Sequence, residues 1–378
     1  MQIQRNILLN PGPATTTDSV KLAQVVPDIC PREQEFGELM RSVADDLTDI
    51  AGGGAEYASV LFGGSGTAAM DAVINSVIPL EKKILIINNG AYGERMVKIA
   101  QAYRIEYIEL RFPWDELPDI GRIEAALQQD SEIAVIGMVH HETTTGLLNP
   151  IQDIGVLVRQ YNKVFVVDTI SSFAGIPLDI KACNIDFMMS TSNKCLQGMA
   201  GIAFVICKIV SLDRIQSYPR RSFYLSLYDQ YAYFEKNLQM RFTPPVQTMY
   251  ALRQAIDEFL AEGMEQRYAR YTRNWRVLRK GMQELGFRIL TQPEQESHIL
   301  ITVEYPDSSA FDFDVLHDKL YESGITIYPG KIGKKDTFRL ANMGAITEQD
   351  ILCFLGSLRE ILIELNIQLL SAEKSRTL

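Results

Sequence analysis

In the stretch VFVVDTISSF, Asp168 ends an unbroken apolar run, and Lys194 follows 26 residues later (194 − 168 = 26) in STSNKCLQG. A carboxylate closing a buried strand is costly unless a cation or a hydrogen-bond donor meets it. Taken singly, such an aspartate most often caps a turn. Its other use is to grip a cationic ligand group, for example a protonated ring nitrogen. A lysine after a strand is ordinarily a surface residue. When it is buried its pKa falls and its amine becomes a usable nucleophile. Small polar residues precede Lys194, and an apolar, glycine-containing run, CLQGMAGIAFVI, follows it.

Three further clusters lie between apolar runs. GGSGTAAM (63–70) stands before a helical pattern. Its glycines let the backbone approach an anion, Ser65 and Thr67 offer hydroxyls, and the N–H groups of a helix start aim at the same spot. It lacks the ending of a nucleotide P-loop and the pattern of a dinucleotide site. Alone it would read as a tight strand–helix turn. NNGAYGER (88–95) sets Tyr92 among small residues, where its ring could lie on a flat ligand. HHETTTG (140–146) offers Thr143 as a hydrogen-bonding hydroxyl, although threonine clusters also form ordinary turns.

These clusters need a scaffold that brings them to one edge. Short apolar runs at 59–62, 84–88, 105–110, 133–139, 164–168, 186–190 and 202–206 alternate with helical patterns such as 66–77, 91–102 and 151–160. Unbroken apolar strands are buried on both faces, so the alternation predicts an α/β layer with a mostly parallel sheet. Ligands of such sheets gather at the carboxyl ends of the strands. Helical pattern runs over 245–285, with Gly263 and Gly281 as interruptions. The remainder predicts a smaller α+β unit, with strands near 287–290, 298–303, 325–328 and 338–340 and helices near 314–322 and 348–365. Thr347 and Asp350 have the spacing of a capping box. The polar tail SAEKSRTL is expected to fray.

Composition bounds the rest. The 378 residues suit a large domain plus a smaller one, and 47% are apolar, as in a globular protein. The net charge of −10 argues against a nucleic-acid or anionic-membrane surface, but one local arginine can still hold a small anion. Five cysteines without a CxxC indicate neither a disulfide framework nor a zinc site, and reduced thiols fit a cytoplasmic setting. Adjacent histidines on a strand point to opposite faces, so His140–His141 is a poor chelator and no metal site is expected. Neither a secretory signal nor a membrane-length apolar run is visible.

The order SGT, NGAYG, HxETTTG, VDxxSSF and SNKCLQG resembles the class V aminotransferases of pyridoxal-phosphate (PLP) fold type I. The likeness covers nearly the whole chain. DICPREQEF (28–36), LYDQ (227–230), RFTPP (241–245), IYPGK (327–331) and FRLANMG (338–344) narrow it to the branch using 2-aminoethylphosphonate and pyruvate. The resemblance implies a seven-stranded, mostly parallel sheet in a large PLP-binding domain, residues 15–260. Residues 1–14 and 261–378 would form the small domain. It implies Lys194 as the Schiff-base lysine and Asp168 as partner of the pyridinium nitrogen. Tyr92 would stack on the ring and Thr143 would bond near its 3-hydroxyl. Ser65, Gly66, Thr67, Thr191 and Asn193 would contact the phosphate in one subunit of a homodimer, and Thr243 would reach across from the other. Arg339 would hold the substrate anion, with Gly12 of NPGP at the site mouth and Arg32 of ICPRE as a second anion contact. His141 stands where a cysteine is expected in many close relatives. Two other readings stay open: an alanine–glyoxylate or serine–pyruvate type transaminase, and a non-enzymatic protein that retains the fold.

Overall fold

The computed structural model describes residues 3–332, 335–367 and 369. The expected tail lies outside the described residues. Seven strands form the central sheet, in the order Tyr57–Gly63, Ile202–Lys208, Phe187–Thr191, Val164–Asp168, Ile133–Val139, Lys83–Asn88, Tyr107–Arg111. Only Ile202–Lys208 runs against its neighbours. The other six therefore end at one edge of the sheet, and the expected mostly parallel architecture is the observed one.

Alternation along each strand buries both faces. Leu85, Ile87, Ile136, Met138, Phe165 and Val167 enter one apolar cluster, and Ile84, Ile86, Val135, Val139 and Val166 enter the other. Helix Gln34–Ile50 covers the first face with Phe36, Met40, Val43 and Leu47, four residues that are fully buried. At about 1.5–3 kcal/mol per fully buried large apolar side chain, those four alone contribute several kcal/mol to seating the helix. Helix Gly66–Val77 covers the second face with Ala69, Met70, Val73 and Ile74.

Helix Val246–Glu262 packs on the large sheet through Met249, Leu252, Ile256 and Phe259. Gly263 then takes φ +80°, which ends that helix and starts Met264–Glu284 in a new direction. Trp275, Leu278 and Met282 of the second helix enter a separate core with Leu9, Phe287, Phe338, Leu340 and Phe354. The expected interruption at Gly281 does not occur. Gly281 lies inside the helix, and an added Cβ would run into Leu355 of helix Glu348–Glu364. It is a packing glycine, a role that sequence spacing does not distinguish from a break. Thr347 and Asp350 do form the capping box.

The small sheet has three antiparallel strands, Leu300–Glu304, Lys335–Ala341 and Tyr328–Ile332. Residues 287–290 make only an isolated bridge, Ile289 to Val303, instead of the expected strand. Ile7–Leu8 pairs in parallel with Ile325–Thr326, so the N-terminal segment is tied to this unit. No helix among the described residues is long and apolar enough to cross a membrane.

Candidate active site

The strand ends deliver their polar residues to one recess lined by Tyr92, His141, Thr143, Asp168, Ile170, Ser171 and Lys194. Asp168 is the last residue of its strand and is 2% exposed. Its Oδ1 accepts from the Ile170 N–H at 2.7 Å, while its Oδ2 has no partner. The Thr143 hydroxyl is likewise buried and unpartnered. Of six buried side-chain atoms without a partner among the described residues, three belong to Asp168, Thr143 and Arg339. Native interiors rarely leave such groups unpaired, so a cluster of them has the donor and acceptor set of a ligand-binding site.

Lys194 sits in the tight turn after strand Phe187–Thr191. That turn is closed by Gly198 N–H to Ser192 O at 2.8 Å and Gln197 N–H to Lys194 O at 2.9 Å. The amine donates to the Pro11 carbonyl. Gly12 follows with φ +122°, and a Cβ there would collide with the Lys194 side chain. Only glycine fits against that amine. Ala14 N–H to Asn193 O at 2.9 Å holds the N-terminal segment over the turn.

The glycine cluster joins strand Tyr57–Gly63 to helix Gly66–Val77. Ser65 precedes helix Gly66–Val77 as an N-cap with no cap bond from its side chain. The side chain of Ile170 presses on Gly66, with Cγ2 2.9 Å from where a Cβ would be. The cluster thus abuts the end of the Asp168 strand. Thr191 donates to Asn193 Oδ1 at 3.0 Å and to Ile202 O at 2.9 Å. Arg339 projects from the small sheet. It donates to Thr143 O at 3.4 Å and Pro329 O at 3.1 Å, and its Nε is an unpartnered buried donor. Its neighbours Phe338 and Leu340 are fully buried on the other face, as strand alternation requires.

Electrostatics in the recess favour neutral forms. Burial pushes Asp168 up to about 6, opposed by the Ile170 N–H and by the charges of Arg95 and Lys194. Burial pulls Lys194 down to about 8. Glu142, 0% exposed, is pushed up to about 7 by burial and, to a smaller degree, by Asp168. His141 is held down at about 3 by burial. Its two nitrogens meet Ser171 Oγ at 3.0 Å and Ser297 Oγ at 2.8 Å.

Arg32 is not among the residues lining this recess, and neither is Thr243, which was expected to serve the neighbouring subunit. Arg32 is exposed and donates to Tyr233 OH, Gln239 Oε1 and the Met240 carbonyl at 3.2, 2.8 and 3.3 Å. Thr243, also exposed, follows Met240 three positions on. The two belong to one neighbourhood of the surface. Sequence reading missed Glu142, Arg95 and the Pro11 carbonyl. An ionisable pair flanking the small residues of AYGER and ETTT was the available signal for the first two. Nothing in the sequence marks a main-chain carbonyl.

Comparison with known proteins agrees with this geometry. The family described as Aminotransferase class-V matches residues 22–346. A 2-aminoethylphosphonate–pyruvate transaminase of Bacillus cytotoxicus is 43% identical over 354 residues, covering 93% of this chain and 96% of the relative. One of Klebsiella pneumoniae is 40% identical over 365 residues, covering 95% and 98%. Among solved structures, an alanine–glyoxylate aminotransferase from Nostoc superposes with a TM-score of 0.88 at 25% identity, covering 96% of each chain. A ureidoglycine–glyoxylate aminotransferase from Bacillus subtilis gives 0.89 at 23% identity, covering 98% and 96%, a likeness of fold. With its sheet order, its strand-end recess and these matches taken together, the chain belongs to the class-V aminotransferase family and is a transaminase.

Proposed function

We propose that this enzyme moves the amino group of 2-aminoethylphosphonate to pyruvate, giving phosphonoacetaldehyde and L-alanine, or runs the same exchange in reverse, with PLP held at the recess. The observation that carries the cofactor is the convergence of unpartnered polar atoms. A lone carboxylate oxygen of Asp168, a lone hydroxyl of Thr143 and a depressed-pKa amine suit the ring nitrogen, 3-hydroxyl and aldehyde of PLP in kind. The relatives' names carry the substrate pair.

When bound, PLP supplies an electron sink for the pair left behind as a proton leaves the substrate carbon. The chain's residues do the rest. Asp168 would keep a proton on the ring nitrogen, because its buried carboxylate, with Oδ2 lacking a partner, is further stabilised by a cation there. Lys194 is partly neutral near pH 8, so its amine can take a proton and give it back on the same face. Tyr92 supplies a flat apolar plate. Ser65, Gly66, Thr67, Thr191 and Asn193 offer hydroxyl, amide and helix N-terminal donors to the phosphate. Arg339, with its fork partly unsatisfied, meets the phosphonate of one substrate and the carboxylate of the other.

The second half of the site is proposed to come from a second copy of this chain. Thr243 and Arg32 share a surface rich in exposed aromatic groups: Tyr224 and Phe242 stack at 5.0 Å and Phe223 is 79% exposed. A homodimer would cover these rings and bring both residues to the neighbour's recess. We assign residues 15–260 to the large domain and 1–14 with 261–378 to the small one. The helix break at Gly263 and the entry of Leu9 into the small core support that division.

A panel of amino donors with pyruvate, alanine being measured, tests the reading. 2-Aminoethylphosphonate should be the preferred donor. Faster turnover of serine, or of alanine with glyoxylate, would overturn the substrate assignment.

A further inference from the structure

Arg95 lies one helical turn beyond Tyr92 in helix Ala91–Ala102. Its Nη1 donates to Thr67 Oγ1 of the glycine cradle at 3.1 Å, and its guanidinium lies 4.7 Å from the centre of the Tyr92 ring. Among the described residues no carboxylate comes within ion-pair distance of it. This contrasts with Arg41, Arg253, Arg267 and Arg270, each of which has at least one. Its charge nevertheless bears on both Asp168 and Lys194.

The helix that carries Arg95 is anchored for this purpose from the site side. Glu142, fully buried, accepts from the main-chain N–H of Gly93 at 3.0 Å and of Tyr92 at 3.5 Å, and from Thr144 Oγ1 at 3.4 Å. A carboxylate on a helix N-terminus is favourable. Here it also fixes the first turn, and with it the direction in which Tyr92 and Arg95 leave the helix. A cation left without a carboxylate, bonded to a cradle hydroxyl and held against an aromatic plate, has free guanidinium donors for one more partner.

We infer that Arg95 is a further anion-binding residue of the site, its guanidinium closing the Ser65–Thr67 cradle around a tetrahedral phosphorus oxyanion. The inference rests on the proposed PLP and aminophosphonate reading. The oxyanion is the cofactor phosphate, which the cradle is proposed to hold; the substrate phosphonate shares this chemistry but is assigned to Arg339.

Cofactor-free wild type, Arg95→Gln and Arg95→Lys would be titrated with PLP and with pyridoxal, which lacks the phosphate. Binding is read by absorbance, and circular dichroism checks the fold. Arg95→Gln should weaken PLP by about ten- to a hundredfold, as for a lost charge-assisted hydrogen bond, and leave pyridoxal within about twofold. Arg95→Lys should recover part of the loss. If PLP affinity holds and only KM for 2-aminoethylphosphonate rises, Arg95 serves the substrate end of the site and the cradle assignment is overturned. Equal losses for PLP and pyridoxal, or no change in any measure, would overturn it. Failure of wild type to bind PLP at all would instead remove the cofactor reading beneath it.

Discussion

Two charge clusters lie close to Lys194 in sequence or space, and they are built in opposite ways. Behind the lysine turn, Glu262 takes Arg267 Nε at 2.7 Å and Arg270 Nε and Nη2 at 2.7 and 3.0 Å. Arg267, 1% exposed, also donates to the Cys195 carbonyl at 3.0 Å, and Arg270 donates to Gly344 O at 2.9 Å. These bonds satisfy both partners, and Glu262 is held below the usual carboxylate range by the two arginines against the pull of burial. In front of the turn, Asp168, Glu142, Lys194 and Arg95 make no ion pair with one another among the described residues, and an Asp168 oxygen and the Thr143 hydroxyl are left open. Burial pushes the two carboxyls toward their neutral forms there. A satisfied cluster holds the fold together. An unsatisfied one is stable only as a place for something else to complete.

The widest gap should open at Lys194. Lys194→Ala should lower turnover by roughly 10⁴-fold, since it removes both the amine nucleophile and the proton carrier. Borohydride reduction of the PLP-loaded wild type, followed by peptide mapping, should label Lys194. A label elsewhere would contradict the assignment.

Asp168→Asn should cost roughly 2.7–4 kcal/mol of transition-state stabilisation. Its effect on the cofactor-free fold has the opposite sign. Burial pushes the folded carboxyl up from its ordinary 3.8 to about 6. Its stability contribution is therefore full below about pH 4 and is lost as pH rises through 6. The variant should melt higher than wild type at pH 8, and the difference should shrink toward pH 4. A lower melting temperature at pH 8 would mean that the open carboxylate is structural.

The rear cluster should respond only in stability. Arg267→Met should lower unfolding stability by about 3 kcal/mol, because it strips one cation from a buried network while Arg270 still holds Glu262. Denaturant unfolding measures this. A change in donor preference without a loss of stability would erase the contrast between the clusters.

Arg339→Lys keeps the charge but loses the fork, and should raise KM by roughly tenfold in both half-reactions. Arg32→Ala should do least: about a threefold rise, confined to the aminophosphonate half-reaction and fading at high salt. Single-turnover spectra of each half-reaction separate the two. Equal effects of both variants on both halves would merge roles that are held apart here.

Local pattern was enough to define much of the scaffold. The helices Gly66–Val77, Ala91–Ala102 and Ile151–Gln160 and the strands Ile133–Val139 and Val164–Asp168 were legible because apolar periodicity depends on neighbours in the chain. Asp168, Lys194, Thr143 and Tyr92 were legible because polar residues stand out at the ends of apolar strands. Folding then decided what spacing leaves open. Gly281 is a contact with Leu355 and not a break, since the deciding partner is distant in the chain. The Pro11 carbonyl meets the Lys194 amine across 183 positions, and Glu142 grips a helix 49 positions earlier. Which charges are paired and which are left open depends on those encounters, because pairing is a property of three-dimensional neighbours. The sequence determined which residues could do the chemistry, and tertiary structure decided which of them were left free to do it.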